Sequence, residues 1–274
     1  MRTLLDDQYA PITSDVGFLD LPVERVANGL LAWMRRNGRN AEEGEVSEAF
    51  PEILRRLEPL RSGIPTRELV LETRSSWTAY FANGIGGGDP TTPVSYLSRT
   101  LGCRGVTARA MPHTVDLFEG RCGRHGSLQF QLFGPRRTEF LNYVRTIDLT
   151  HDGSAWQFSA NGEPQPYETT EQYRARRKTD RFTSEMLESY CRALGIELFE
   201  PSFYGPRGVL ISSQPTSTGP ETPPVSTQID GIRVRVKSDP IEIEELALAD
   251  VQRRHCIGPA AQEMLATMRR RKGP

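Results

Sequence analysis

The chain has 274 residues, with 34 Lys and Arg against 35 Asp and Glu and a net charge of −1. That balance leaves no global field to draw it to DNA, RNA or anionic lipid, and the length suits one substantial core plus a small appendage. No stretch approaches the roughly 18 consecutive apolar residues a bilayer span requires, and the opening MRTLLDDQYAPITSD lacks a basic and then apolar leader, so a cytoplasmic location without membrane attachment is expected.

The first clear element is a helix over residues 20–37, with Asp20 as cap, Pro22 in the first turn, an apolar stripe through Val23, Val26, Ala27, Leu30, Leu31 and Met34, and Gly38 as stop. The spacing predicts a second helix from Ser47 to Leu60, with Phe50, Ile53, Leu54 and Leu57 inward. From Glu68 the pattern turns to strands: LVLET, WTAYFAN, RGVTARAM, SLQFQLF, NYVRTIDL and SAWQFSA. Leu128, Phe130 and Leu132 alternate with Gln129 and Gln131, the mark of a sheet with one wet face. Asp152-Gly153 is a turn signal that makes the flanking strands an antiparallel hairpin. A short helix from Pro93 to about Leu101 interrupts the strands.

Residues 168–194 read as helical, with Thr183 as cap, Met186, Leu187, Tyr190 and Leu194 inward, and Gly195 as stop. After a strand near Val209 to Ser212 comes QPTSTGPETPPVSTQ, whose composition marks a linker or exposed loop. IRVRVK then alternates as a strand, and Pro240 to Arg254 and Pro259 to Lys272 read as two short helices. The expected fold is α+β, a mainly antiparallel sheet covered by helices with a short C-terminal appendage. Residues 1–213 form the main domain, 214–228 the linker or loop, and 229–274 the C-terminal strand and helices.

Several residues are candidates for chemistry. The run Asn83-Gly84-Ile85-Gly86-Gly87-Gly88-Asp89-Pro90 lies between a strand and a helix, where backbone N–H groups can cradle a phosphate. Against that, it has no P-loop Lys or Ser/Thr, Asp89 would repel an anion, and a flexible or tightly turning loop is the simpler account of the glycines; Asp89 is expected to cap or charge the following helix. Cys103, His113, Cys122 and His125 form a loose Cys/His set in which only Cys122-x-x-His125 has a spacing familiar from zinc sites. The expectation is therefore no metal and no cofactor, with Cys103, Cys122, Cys191 and Cys256 as reduced thiols. Arg145 shares a strand face with Tyr143, Ile147 and Leu149, so it needs an acidic partner or ligand oxygen, or else it reaches solvent at the sheet's end, the simpler expectation. In WTAYFAN, Trp77 and Phe81 point one way and Tyr80 the other, which makes one ring a candidate binding anchor. The basic run Arg174 to Arg181 is diluted by acids and reads as a solvated face.

The pattern Trp77 to Phe81, Gly88 to Pro90, Pro93 to Leu97 and Asp180 to Leu187 resembles a group of uncharacterised bacterial proteins across roughly the middle of the chain. The resemblance implies a bacterial cytoplasmic origin and carries over no catalytic residue. Without a nucleophile elbow, metal helix or complete phosphate loop, the residues themselves favour a partner-binding protein, with another protein as the partner. A toxin-neutralising immunity protein is the concrete version, and Tyr80, Gly86, Gly87, Asp89 and Arg145 are the candidate contacts. The alternative is an enzyme that takes a phosphorylated or carboxylated small molecule through the glycine loop and Arg145.

Overall fold

The computed structural model describes residues 1–118, 122–138, 141–215, 226–229, 232–235 and 243–271. In chain order the strands are β1 (Asp15–Leu19), β2 (Arg39–Val46), β3 (Leu60–Arg61), β4 (Arg67–Thr73), β5 (Thr78–Ala82), β6 (Gly105–Met111), β7 (Ser127–Phe133), β8 (Tyr143–His151), β9 (Trp156–Gly162), β10 (Tyr204–Pro215), β11 (Ser226–Ile229), β12 (Ile232–Arg235) and β13 (Glu245–Leu246). The helices are α1 (Val23–Arg36), α2 (Thr91–Leu101), α3 (Ser184–Ala193), α4 (Leu248–His255) and α5 (Gly258–Arg271). Nine strands form one antiparallel sheet in the order β2-β10-β4-β5-β1-β6-β7-β8-β9, which bears out the expected α+β class.

Both sheet faces are buried at the centre, and the alternation of β5 shows how. Ala79 and Phe81 enter one apolar cluster with α3 and the 3-10 turn Glu52–Leu57, while Tyr80 and Ala82 enter the other, with α1 and α2. Helix α1 lies across β2, β10 and β4, and α2 across β1, β6 and β7. Close approach of α2 depends on two glycines: a Cβ at Gly17 would stand 2.7 Å from Val94, and one at Gly105 would stand 2.6 Å from it.

The central strand β1 has no counterpart in the sequence-predicted elements, although all five of its residues are buried. Edge strand β2 is also absent from them, since RNAEEGEV buries only Ala41. The helix expected from Ser47 to Leu60 is confined to a 3-10 turn, Glu52–Leu57, flanked by Pro51 and Pro59. It keeps the expected inward set of Ile53, Leu54 and Leu57, and Phe50 stacks on Tyr204 with ring centroids 4.5 Å apart. Residues 168–182 form two 3-10 turns rather than a helix, whereas α3 starts as expected, with Thr183 accepting a bond from the Met186 N–H.

The chain after the Pro/Ser/Thr-rich segment, most of which lies outside the described residues, returns to the main body. Strand β13 pairs with β3, Leu248 and Val251 of α4 are buried in the larger core cluster, and the Gln252 amide donates to Gln8 O at 2.8 Å and Ala10 O at 3.0 Å. Cys122 and Cys256 form a disulfide with Cα atoms 5.8 Å apart, which corrects the expectation of four reduced thiols; Cys103 and Cys191 are free and buried. No described helix is long and apolar enough to cross a membrane.

Candidate functional site

Strands β1, β6, β7, β8 and β9 stand side by side, and their registers put Asp15, Arg109, Gln129, Asp148 and Ser159 opposite one another in one line. A second line, two residues along each strand and so on the same face, runs Gly17, Thr107, Gln131, Thr146 and Asn161. This is the α2 side, since Thr91 of α2 bonds Gln131 Oε1 at 3.2 Å. At the inner end Asp15, Gly17 and Thr107 are buried; outward the lines pass through half-exposed Arg109, Gln129, Gln131, Thr146 and Asp148 to exposed Ser159 and Asn161. The result is a polar strip of sheet, called the recess below for its covered inner end, that runs from beneath the helix to the exposed β9 edge.

Charge gathers at its inner end. Arg109 Nε donates to Asp15 Oδ2 at 2.9 Å, and Nη2 bonds the same oxygen. Burial pushes the Asp15 carboxyl up to about 6; Arg109 draws it down and Asp89 raises it. Asp148 is also pushed up to about 6 by burial, against the pull of Arg109 and a hydrogen bond with Ser159. Burial thus raises two carboxyls on one face while the Arg109 guanidinium draws both back down, and carboxyls perturbed in this way concentrate at functional sites.

The glycine loop runs past this inner end. The Gly87 N–H bonds Gly84 O at 3.1 Å to close a turn, and a Cβ on Gly87 would lie 3.9 Å from Asp15 Cβ; Gly86 is exposed. Helix α2 begins at Thr91 with Pro90 in the cap position and no side-chain cap bond, so of the two expected roles Asp89 does not cap the helix, although its charge stands directly before the N-terminal end. Exposed Asp89 also adds negative potential to Asp15. A loop beside two carboxylates is poorly suited to phosphate.

Two other expected contacts are occupied within the fold. Tyr80 is buried, not an exposed anchor, and its hydroxyl donates to Glu68 Oε2 at 2.8 Å; Arg39 stands 3.5 Å from the other carboxylate oxygen, and burial pushes Glu68 up to about 7. Arg145 does not reach solvent. Its Nη2 pairs with Glu168 Oε2 at 2.7 Å and its Nη1 donates to Gly162 O at 2.9 Å; Glu168 also accepts from Tyr173 Oη and the Gln165 N–H, each at 2.8 Å. Each nitrogen of that guanidinium already has a partner within the fold. Tyr143 leaves the Arg145 face because the ladder shifts between Leu132 and Phe133, and its ring packs 4.6 Å from that of Phe133.

The Cys/His set divides. Cys103 is buried in the cluster with α1 and α2, and Cys122 is held in the disulfide. His113 and His125 are brought together with His151, which their sequence spacing does not reveal. A separate cleft of about 580 Å³ lies where β10 and β4 approach β3, with Arg61, Arg67, Glu42 and Glu245 on its walls.

No protein-family model matches the chain, and no curated protein or solved structure matches it either. Fold and site together define its class: an α+β protein whose nine-stranded antiparallel sheet carries an acidic, polar recess beside α2.

Proposed function

We propose that the chain is a partner-binding protein that receives a basic, hydrogen-bond-donating protein surface on the α2 side of β6, β7, β8 and β9. The observation that carries this reading is the cross-strand line Asp15, Arg109, Gln129, Asp148 and Ser159, which opens to solvent on the Asp148 side. Asp15, Asp89 and Asp148 outnumber Arg109 there, so an incoming Lys or Arg gains charge-assisted bonds while the glutamines and threonines supply orientation. In its concrete form this is a toxin-neutralising immunity protein of a bacterial cytoplasm. Cytoplasmic residence then requires the Cys122–Cys256 bond to persist against a reducing pool, which thiol counting on freshly lysed cells checks.

The test compares the wild-type chain with Asp148→Lys, a change at a half-exposed position, as baits in extract of the native host. The wild type should retain a basic protein that salt releases, and the variant, with an unchanged circular dichroism spectrum, should lose it. A protein held equally by both baits places the interface elsewhere and overturns the reading. The immunity version further requires a neighbouring gene whose product is harmful alone and harmless beside this chain.

One observation favours a second reading, an enzyme: two carboxyls on one sheet face, Asp15 and Asp148, are each pushed up to about 6 by burial, which suits a carboxyl to exchange protons. Its substrate would be cationic rather than phosphorylated, and Arg145 would play no part. Turnover that Asp148→Asn abolishes without unfolding the chain would favour the enzyme over the binding protein.

A further inference from the structure

We propose that His113, His125 and His151 form a binding site for a divalent transition-metal ion, zinc foremost. The three come from separate segments that meet at one end of the sheet: His113 follows β6, His125 precedes β7, and His151 closes β8. One nitrogen of each lies within 4.8 Å of the others. The ring centroids of His113 and His151 are 4.3 Å apart, and those of His125 and His151 are 5.2 Å apart with the planes nearly parallel. Three imidazoles without a thiolate match borderline ions such as Zn²⁺, Co²⁺ and Ni²⁺ rather than Ca²⁺ or Mg²⁺, which prefer oxygen. Asp116 Oδ2, 3.3 Å from His113 Nε2, stands ready as a fourth ligand.

The surrounding structure holds this end in place. The His151 N–H bonds Gly126 O at 2.9 Å, Arg124 ties the loop to Ser14 and Asp7, and Cys122 is fastened to Cys256. Trp156 packs against His113 and His151 with centroids 5.7 and 5.5 Å away. The two rings also accept long bonds at Nδ1, from the Gly126 and Gly153 N–H groups, each at 3.2 Å. Coordination through Nε2 places the ring proton on Nδ1 and breaks these contacts. Binding therefore includes a small rotation of both rings, which draws the nitrogens toward the spacing of about 3.3 Å set by a tetrahedral ion roughly 2.0–2.1 Å from each.

The site is independent of the partner-binding recess and is tested separately. The full chain, purified without a polyhistidine tag and stripped with a chelator, is titrated with Co²⁺ and then with Zn²⁺. Expected is a visible cobalt band that saturates at about one ion per chain and is displaced by zinc. His125 is exposed, so His125→Ala leaves the fold intact; it should weaken binding by tenfold or more, while His255→Ala, outside the trio, leaves it unchanged. Absence of a saturable band, or a band of full strength and affinity in His125→Ala, overturns the proposal.

Discussion

Arg145 is almost fully enclosed, with a side-chain exposure of 4% against 0% for Glu168. Glu168→Ala is expected to cost about 3–5 kcal/mol, because it strands a buried guanidinium, and Arg145→Met combined with Glu168→Leu should recover much of that. Urea midpoints of the three chains check this; an unchanged midpoint in Glu168→Ala would mean that solvent reaches the arginine. Asp15 works in the opposite sense, since its folded carboxyl sits near 6 against an ordinary value of 3.8. Between those values the folded chain holds a proton that the unfolded chain has released. Its contribution is complete below the ordinary value and is lost as pH rises through about 6. The wild type should therefore be more stable at about pH 5 than at about pH 8, and Asp15→Asn should reduce that difference by at most about 1.4 kcal/mol in all, because only the unit from about 5 to about 6 lies between the two values. Urea titrations at both pH values measure it, and identical pH dependence in wild type and variant would contradict the buried carboxyl.

At the scale of elements, the sequence is legible where periodicity is strong and silent where tertiary burial decides. Helix α1 and strands β4, β5, β6, β7, β8 and β9 follow from their apolar spacing, and Asp152-Gly153 turns β8 into β9 as expected, with Gly153 at φ +101°. Strand β1 could not be read that way, because DVGFL mixes a carboxylate and a glycine into a segment buried on both faces. Half of the recess was therefore hidden: Gln129 and Gln131 announced a wet face, but Asp15 belonged to an unread strand and nothing local ties Arg109 to it. The trio of histidines was hidden for a related reason, since His151 is 26 residues beyond His125 and meets it only through the β7–β8 pairing. Strand alternation puts Tyr80 and Arg145 on the faces they occupy, yet periodicity alone cannot show that Glu68 and Glu168 occupy their polar groups.

Across the whole molecule, the C-terminal helices are stitched to the body at several points, so truncation near Gln214 would expose Leu248's and Val251's partners in the core instead of releasing a free appendage. The Cys122–Cys256 link closes a separation of 134 residues. A cross-link over so long a loop contributes at most about 4–5 kcal/mol, so reductant should lower the melting temperature by several degrees, and thiol titration of the denatured, unreduced chain should count Cys103 and Cys191 alone. A melting temperature indifferent to reductant would contradict that contribution. The central claim, that the polar recess beside α2 is where a partner docks, is met most directly by hydrogen–deuterium exchange of the chain alone and with the captured basic protein. Slowed exchange should concentrate in peptides covering 105–111, 127–133 and 143–162; protection confined to β2, β10 and α1, with these peptides unchanged, would contradict it.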